Sequence, residues 1–297
     1  MNSAACTPKQ DCGGILLSKQ ETELNLYYMT CSKYFEELNR KKFDYWFSAF
    51  CLALGTKEGW VLEVGCGTGQ VVNRLSNYNR NVVGVDISPI GIRMATQHEG
   101  ASAHFIIASA ANLPLKSNSF SSVGFNDFLE HTKKPETCLI EMVRVLRGGG
   151  KIIASAPNFL RVIGLSREHH SYMAGPRRKI LNLLTLIRKA VYATISPHMM
   201  RFEFMPARLD VEGKGGDTDA VCVTNSIDMS FRLRKLGVRI TEQSAAPGYT
   251  EGMIQGIGKL PIIRSISGYT FLRGVKVGAC TEKQYDEENL RQTRAHR

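Results

Sequence analysis

The stretch VLEVGCGTG, Val61–Gly69, decides the reading of this chain. Val61–Val64, with Trp60 before them, form a short apolar run that ends on glycines, the signature of a buried β-strand. Gly65 and Gly67 permit a tight turn and close approach of the backbone to a ligand, and Gly69 lets the next helix pack near the strand. The helix that follows points its free N–H groups at whatever the turn holds. In such sites an acidic residue about 20 positions on accepts hydrogen bonds from ribose hydroxyls. Asp86 lies 21 residues after Gly65, at the end of the next apolar run, NVVGVD. A nucleoside-type cofactor follows from this combination. The glycine spacing is GxGxG, whereas dinucleotide folds use GxGxxG, so NAD ranks second as ligand.

Working outward, strands and helices alternate. Asn81–Asp86, Ala103–Ala108, Phe120–Asn126 and Lys151–Ala156 read as further strands. Gly69–Asn77, Pro89–Gln97 and Glu136–Leu146 read as helices. Such alternation predicts a doubly wound α/β sheet, Rossmann-like and mostly parallel, with helices on both faces. Upstream, apolar and aromatic residues recur at three- and four-residue spacing over Lys19–Leu54, and two helices broken near Thr30–Ser32 are expected. After Pro157 the alternation stops. Arg177–Ile195 reads as one amphipathic helix, Gly213–Asp219 as a loop, Ser226–Leu236 as a helix, and Val238–Gln243 and Phe271–Ala279 as late strands. The expected division is a flexible start (1–18), one domain (19–280) with N-terminal lid helices (19–57) and an α-rich substrate-cap insertion (158–220), and a charged tail (281–297).

The segments VLEVGCGTG, VVGVDIS, NLPLKSNSF, FLEH and RVLRGGGKIIASAPN appear in this order over about residues 58–158. Together they resemble the class I methyltransferases that use S-adenosylmethionine (SAM), in the type 11, small-molecule group. The resemblance implies a seven-stranded sheet whose last strand is antiparallel, and SAM as cofactor. It implies that Glu63, Gly65, Cys66, Gly67 and Gly69 form the cofactor loop. Asp86 would bind the ribose hydroxyls, Ile87 would lie on the adenine, Ala110 would offer its backbone to the adenine, and Asn126 would face the methionine end. Ser109 stands where the family often has Asp, and a hydroxyl accepts from the adenine amine more weakly than a carboxylate.

Methyl transfer to oxygen needs alignment and a base for the acceptor's proton. His131 closes Phe128–His131 just past the fourth strand, at the carboxyl end where ligands sit in such sheets, and is the candidate base; a bracing role for the loop is the alternative. His169, His170 and His198 read as surface residues. Glu63 reads either as a cofactor contact or as a loop brace.

Lys and Arg number 38 against 27 Asp and Glu, a net charge of +11, which favours anionic partners. Residues 161–210 hold nine basic residues against three acids. The helix at 177–195 is therefore expected either to touch an anionic membrane surface or to be a core helix with solvated ends. Nucleic acid is disfavoured, because no RNA-binding module and no Asn/Asp-Pro-Pro-Tyr signature is present. The eight cysteines are scattered without metal-site spacing and read as reduced thiols; no metal is expected. No basic start leads into a long apolar stretch, and no run reaches about 18 apolar residues, so a cytoplasmic enzyme, at most peripheral to a membrane, is expected. The stretch Asp217–Asp228 is similar to segments of methyltransferases thought to act in cell-surface polysaccharide synthesis.

The function expected is SAM-dependent methylation of a small molecule, on oxygen, of a lipid-linked sugar, polysaccharide-precursor or quinone-like kind. A SAM-binding scaffold without catalysis and an RNA methyltransferase are the alternatives.

Overall fold

A computed structural model describes residues 19–40, 45–78, 81–97, 103–163, 175–209, 216–245 and 261–277. The segments 1–18 and 281–297, and with them His169 and His170, lie outside the described residues. Seven strands form one sheet: β1 Trp60–Val64, β2 Val82–Asp86, β3 Ala103–Ile107, β4 Phe120–Asn126, β5 Leu146–Pro157, β6 Val238–Ser244 and β7 Tyr269–Lys276. Their order is β3-β2-β1-β4-β5-β7-β6. β1 to β5 pair in parallel, and β7 runs antiparallel between β5 and β6. This is the mixed seven-stranded sheet expected.

The helices are α1 Lys19–Thr30, α2 Ser32–Arg40, α3 Tyr45–Leu54, α4 Gln70–Ser76, α5 Pro89–Ala95, α6 Pro135–Val145, α7 Pro176–Ile195, α8 Ser226–Lys235 and α9 Pro261–Ile266. Side chains alternate across the central strands and so build two cores. On one face Leu62, Val64, Val123 and Ile152 meet Leu139 and Met142 of α6 and Met229 and Leu233 of α8. On the other, Val61, Val82 and Ile153 meet Phe50 and Leu54 of α3, Val72 and Leu75 of α4 and Ile92 of α5.

Several boundaries differ from the sequence reading. The N-terminal segment holds three helices: the break falls at Cys31 as expected, and Tyr45–Leu54 forms a separate helix because its Phe50 and Leu54 pack on the sheet. Strand β5 begins at Leu146. Arg147–Gly150 extend it, although their glycines lower strand propensity, because Leu146 pairs with Phe120. Gly216–Asp219, read as loop, is a 3₁₀ turn, and α9 was not foreseen. α9 is too short for periodicity to reveal it.

Gly69 caps α4 with φ +73°, and a Cβ there would stand 2.6 Å from Ala95 Cβ and 2.9 Å from the Phe105 ring. Gly69→Ala therefore combines a left-handed backbone with overpacking. We expect a loss of about 2–4 kcal/mol in stability, read from chemical denaturation.

Candidate functional site

The chain passes from β1 to β2 and β3 on one side, then returns to β4 on the other, so the switch point lies between β1 and β4. In open parallel sheets ligands bind beyond the carboxyl ends of the strands at that point. A cavity of about 550 Å³ lies there. Its wall includes Glu63, Gly65, Cys66, Gly67, Asp86, Ile87, Ser109, Ala110, Asn126 and His131. Ten of the eleven residues chosen from the sequence therefore share one cavity. Gly69 does not line it; helix–strand packing accounts for that glycine.

The glycine turn is held from β2. Asp86 Oδ2 accepts from the Gly67 N–H at 2.8 Å, and Asp86 Oδ1 accepts from the Ser88 N–H at 2.8 Å. Gly65 and Gly67 have φ of +72° and +51°, which a glycine adopts without strain. A Cβ at Gly65 would stand 2.4 Å from the Phe128 ring, and one at Gly67 2.7 Å from Leu38. The turn is thus closed in by side chains from the far loop and from α2. Burial pushes the Asp86 carboxyl up, and the Ser88 and Gly67 amides oppose that rise. Ser109 Oγ accepts from the Ala111 N–H at 3.3 Å, so this hydroxyl also braces its own loop.

Several buried acceptors belong to the wall, and among them Glu63 Oε2 and Asn126 Oδ1 have no hydrogen-bond partner among the described residues. A buried acceptor left unmade costs about 1–3 kcal/mol, so such atoms suit a ligand that brings N–H or O–H donors. Burial and the Asp86 carboxylate push Glu63 well above the usual carboxylate range. The SAM molecule implied by the resemblance has an ammonium group and ribose hydroxyls, and this donor set matches Glu63, Asn126 and Asp86. Cys66 and Cys138 also reach the cavity. Burial pushes the Cys138 thiol up to about 12 and raises Cys66 well above its ordinary value, so both are thiols at neutral pH.

Opposite the turn, His131 closes a 3₁₀ turn after β4, and two partners absent from the sequence reading hold it. Tyr28 Oη, from α1, lies 3.0 Å from His131 Nδ1 and donates to Asp219 Oδ2 at 2.7 Å. Asp219 Oδ2 is 3.3 Å from His131 Nδ1. With the Tyr28 proton given to Asp219, the contacts at Nδ1 are favourable only if Nδ1 carries a hydrogen. In the neutral ring the lone pair then resides on Nε2, which lies 3.9 Å from Glu130 Oε1. Burial raises Asp219, but His131 and the bond from Tyr28 outweigh it and hold the carboxyl below the usual range. Burial and the Asp219 carboxylate push the Tyr28 hydroxyl well up.

Asp219 arrives from the insertion because Val221 and Cys222 both donate their N–H to the Glu130 carbonyl, at 2.8 and 2.9 Å. Leu24, Tyr27 and Tyr28 of α1 pack on Val221 in one small core. Asp219 sits in the Asp217–Asp228 stretch that the sequence singled out without a role. Tyr28 was hidden among aromatic residues at helical spacing. His198, as expected, is a surface residue, outside this cavity.

The wall carries Glu37, Glu63, Asp86, Asp127 and Asp219, and no Lys or Arg among the described residues. Its aromatic part is Tyr28, Tyr34, Phe35, Phe47 and Phe128. A chain of net charge +11 has therefore placed acid, not base, around its cavity.

A family profile described as a methyltransferase domain matches residues 62–154. The demethylmenaquinone methyltransferase of Renibacterium salmoninarum is 32% identical over 95 residues, 32% of this chain and 40% of that protein. The malonyl-[acyl-carrier protein] O-methyltransferase of Hahella chejuensis is 32% identical over 118 residues, 39% of this chain and 42% of that protein. The chain thus spans about two fifths of the length of these relatives. The solved Burkholderia thailandensis 1,6-didemethyltoxoflavin-N1-methyltransferase superposes with a TM-score of 0.52 at 13% identity, over 90% of this chain and 94% of that one, a likeness of fold. With the glycine turn, Asp86 and the sheet order in place, residues 62–154 are a methyltransferase domain of the class I, SAM-dependent kind, type 11 group.

Proposed function

We propose that the protein transfers a methyl group from SAM to a hydroxyl of a neutral, largely apolar small molecule, with His131 as general base. The observation that carries this reading is that the Tyr28–His131–Asp219 cluster opens on the same cavity as the glycine turn and Asp86. Asp86, Glu63 and Asn126 would hold SAM together with the backbone of Gly65 and Gly67; Ile87, Ser109 and Ala110 would bound its adenine. SAM supplies an electrophilic methyl on a good leaving group, so the protein's own work is alignment, exclusion of water and removal of one proton.

His131 Nε2 accepts that proton. Asp219 stabilises the charge that then forms on the ring, and Tyr28 and Asp219 fix the ring through Nδ1. Tyr28 and Asp219 are positioning residues. The N-terminal helices and the insertion act as lid and cap, because they bring Tyr28 and Asp219 over the cavity.

The acidic wall suits a cofactor with a sulfonium centre and repels an anionic acceptor. It thus disfavours a phosphate-bearing group or a polynucleotide at the reacting centre. The aromatic wall suits a flat, apolar acceptor. Of the two relatives, the one named for demethylmenaquinone supports this better than the one named for a malonyl carrier.

Three measurements test the reading. Labelled methyl transfer from SAM into extracted lipids and neutral hydroxyaromatic compounds should give a product, and His131→Asn should lower kcat by roughly 10²–10⁴-fold with SAM affinity retained. Full kcat in that variant would remove His131 from catalysis. Asp86→Ala should weaken SAM binding by about tenfold or more in calorimetry, since it removes both the ribose acceptor and the brace on Gly67. Asp219→Asn should lower kcat more than it changes KM. It should also flatten the acid limb of the stability profile. The native carboxyl titrates below its unfolded value, so its contribution is present above that value and is lost as pH falls through the folded one.

A further inference from the structure

Helix α7 is packed the opposite way from an ordinary surface helix. The residues it buries are Asn182, Leu186 and Lys189. Two of these are polar and anchored inward. Asn182 Nδ2 donates to the Phe159 and Arg161 carbonyls at 3.4 and 3.1 Å. Lys189 Nζ pairs with Asp228 at 2.8 Å and donates to the Arg201 carbonyl at 2.9 Å. The outward side is the apolar one. Ile180, Leu184, Ile187, Val191 and Ile195 recur at four- and three-residue spacing on one face and are 60%, 56%, 53%, 46% and 75% exposed, with Leu181 and Leu183 beside them. Among the described residues nothing covers this face.

The charge carried by the helix itself has one sign. The helix carries Arg177, Arg178, Lys179, Arg188 and Lys189 and no acid. At its C-terminal end a cleft of about 540 Å³ is lined by Arg188, Tyr192, His198 and Arg201, with Glu203 paired to Arg188 at 2.7 Å. A soluble chain rarely leaves so much contiguous apolar surface in water, and a basic rim states what chemistry its partner has. We infer that this face of α7 docks the protein on an anionic lipid bilayer. The isoleucines, leucines and valine enter the acyl boundary, and Arg177 and the Arg188–Arg201 cleft meet phosphate headgroups. A helix of 20 residues lying flat presents about 30 Å of contact. No described helix is long and apolar enough to cross the membrane, so the contact is interfacial. A second copy of the chain fits less well. Two-fold pairing of this face would set the arginines of both copies along one seam with no acid on either helix to meet them.

The inference stands apart from the methyl-transfer reading, since none of these residues lines the catalytic cavity. The test is flotation of the full chain with phosphatidylcholine vesicles with and without about a third phosphatidylglycerol, at low and physiological salt. Wild type should float with the anionic vesicles alone and less at higher salt. Leu184→Asp with Ile187→Asp should reduce binding by about tenfold or more, with an unchanged melting temperature, because both sites are exposed. Arg201→Glu should reduce it by about fivefold or more. SAM binding, measured in parallel, should be the same in all variants, so failure of docking and failure of the cofactor site are distinguished. Three results would overturn the inference. One is no flotation with anionic vesicles at low salt. Another is a wild-type dimer in sedimentation that the double variant splits. The third is a double variant that melts lower yet floats as wild type does, which would place the face inside the fold.

Discussion

The arrangement of the site depends on one carboxylate. Asp86 ends β2 and takes the Gly67 and Ser88 amides on its two oxygens, each at 2.8 Å. This ties the turn after β1 to the strand beside it and starts α5 at the same point. A glycine turn has no side chains to hold its shape, so an acceptor on a rigid neighbour must do it. Each Asp86 oxygen retains capacity to accept a second hydrogen, so bracing the turn does not exhaust the carboxylate.

A second constraint brings the His131 cluster to the glycine turn. The Glu130 carbonyl accepts the Val221 and Cys222 amides, and this fixes Asp219, two residues before Val221, beside His131. α1 then packs on Val221 and delivers the Tyr28 hydroxyl to both. Three segments far apart in the chain thus meet at one imidazole. The inward anchoring of α7 belongs to the same logic. The Lys189–Asp228 pair fastens the insertion to α8 through polar groups. A buried ion pair adds little net stability, yet it dictates which face of the helix turns inward. The apolar residues are left outside as a consequence.

The cofactor half was legible in the sequence. Strand periodicity, glycine spacing and the position of Asp86 are local, and each follows from backbone geometry within a few residues. Hence Gly65, Gly67 and Asp86 could be placed from local pattern, the family resemblance implied Glu63, Cys66, Ile87, Ser109, Ala110 and Asn126, and all of them lie on one cavity. Gly69 had two readings, and packing against Ala95 and Phe105 is the one its geometry supports. The N-terminal boundaries and the start of β5 were less legible, because long-range packing and pairing override propensity there.

The VLEVGCGTG stretch, Asp86 and the alternation of strands and helices determined by themselves the fold class and a nucleoside-type cofactor, since strands, tight turns and helix starts are specified by neighbouring residues. They could not determine the company His131 keeps. Tyr28 stands among tyrosines with the same spacing, and only the docking of α1 selects its hydroxyl over those of Tyr27 and Tyr34. Asp219 is one of several acids in the Asp217–Asp228 stretch, and only the two bonds to Glu130 bring it within 3.3 Å of the ring. The outward turn of the apolar face of α7 was likewise undecided, because periodicity gives a helix two faces and does not say which is inside. Tertiary structure settled it through Asn182 and Lys189, whose buried partners exist only once the chain has folded.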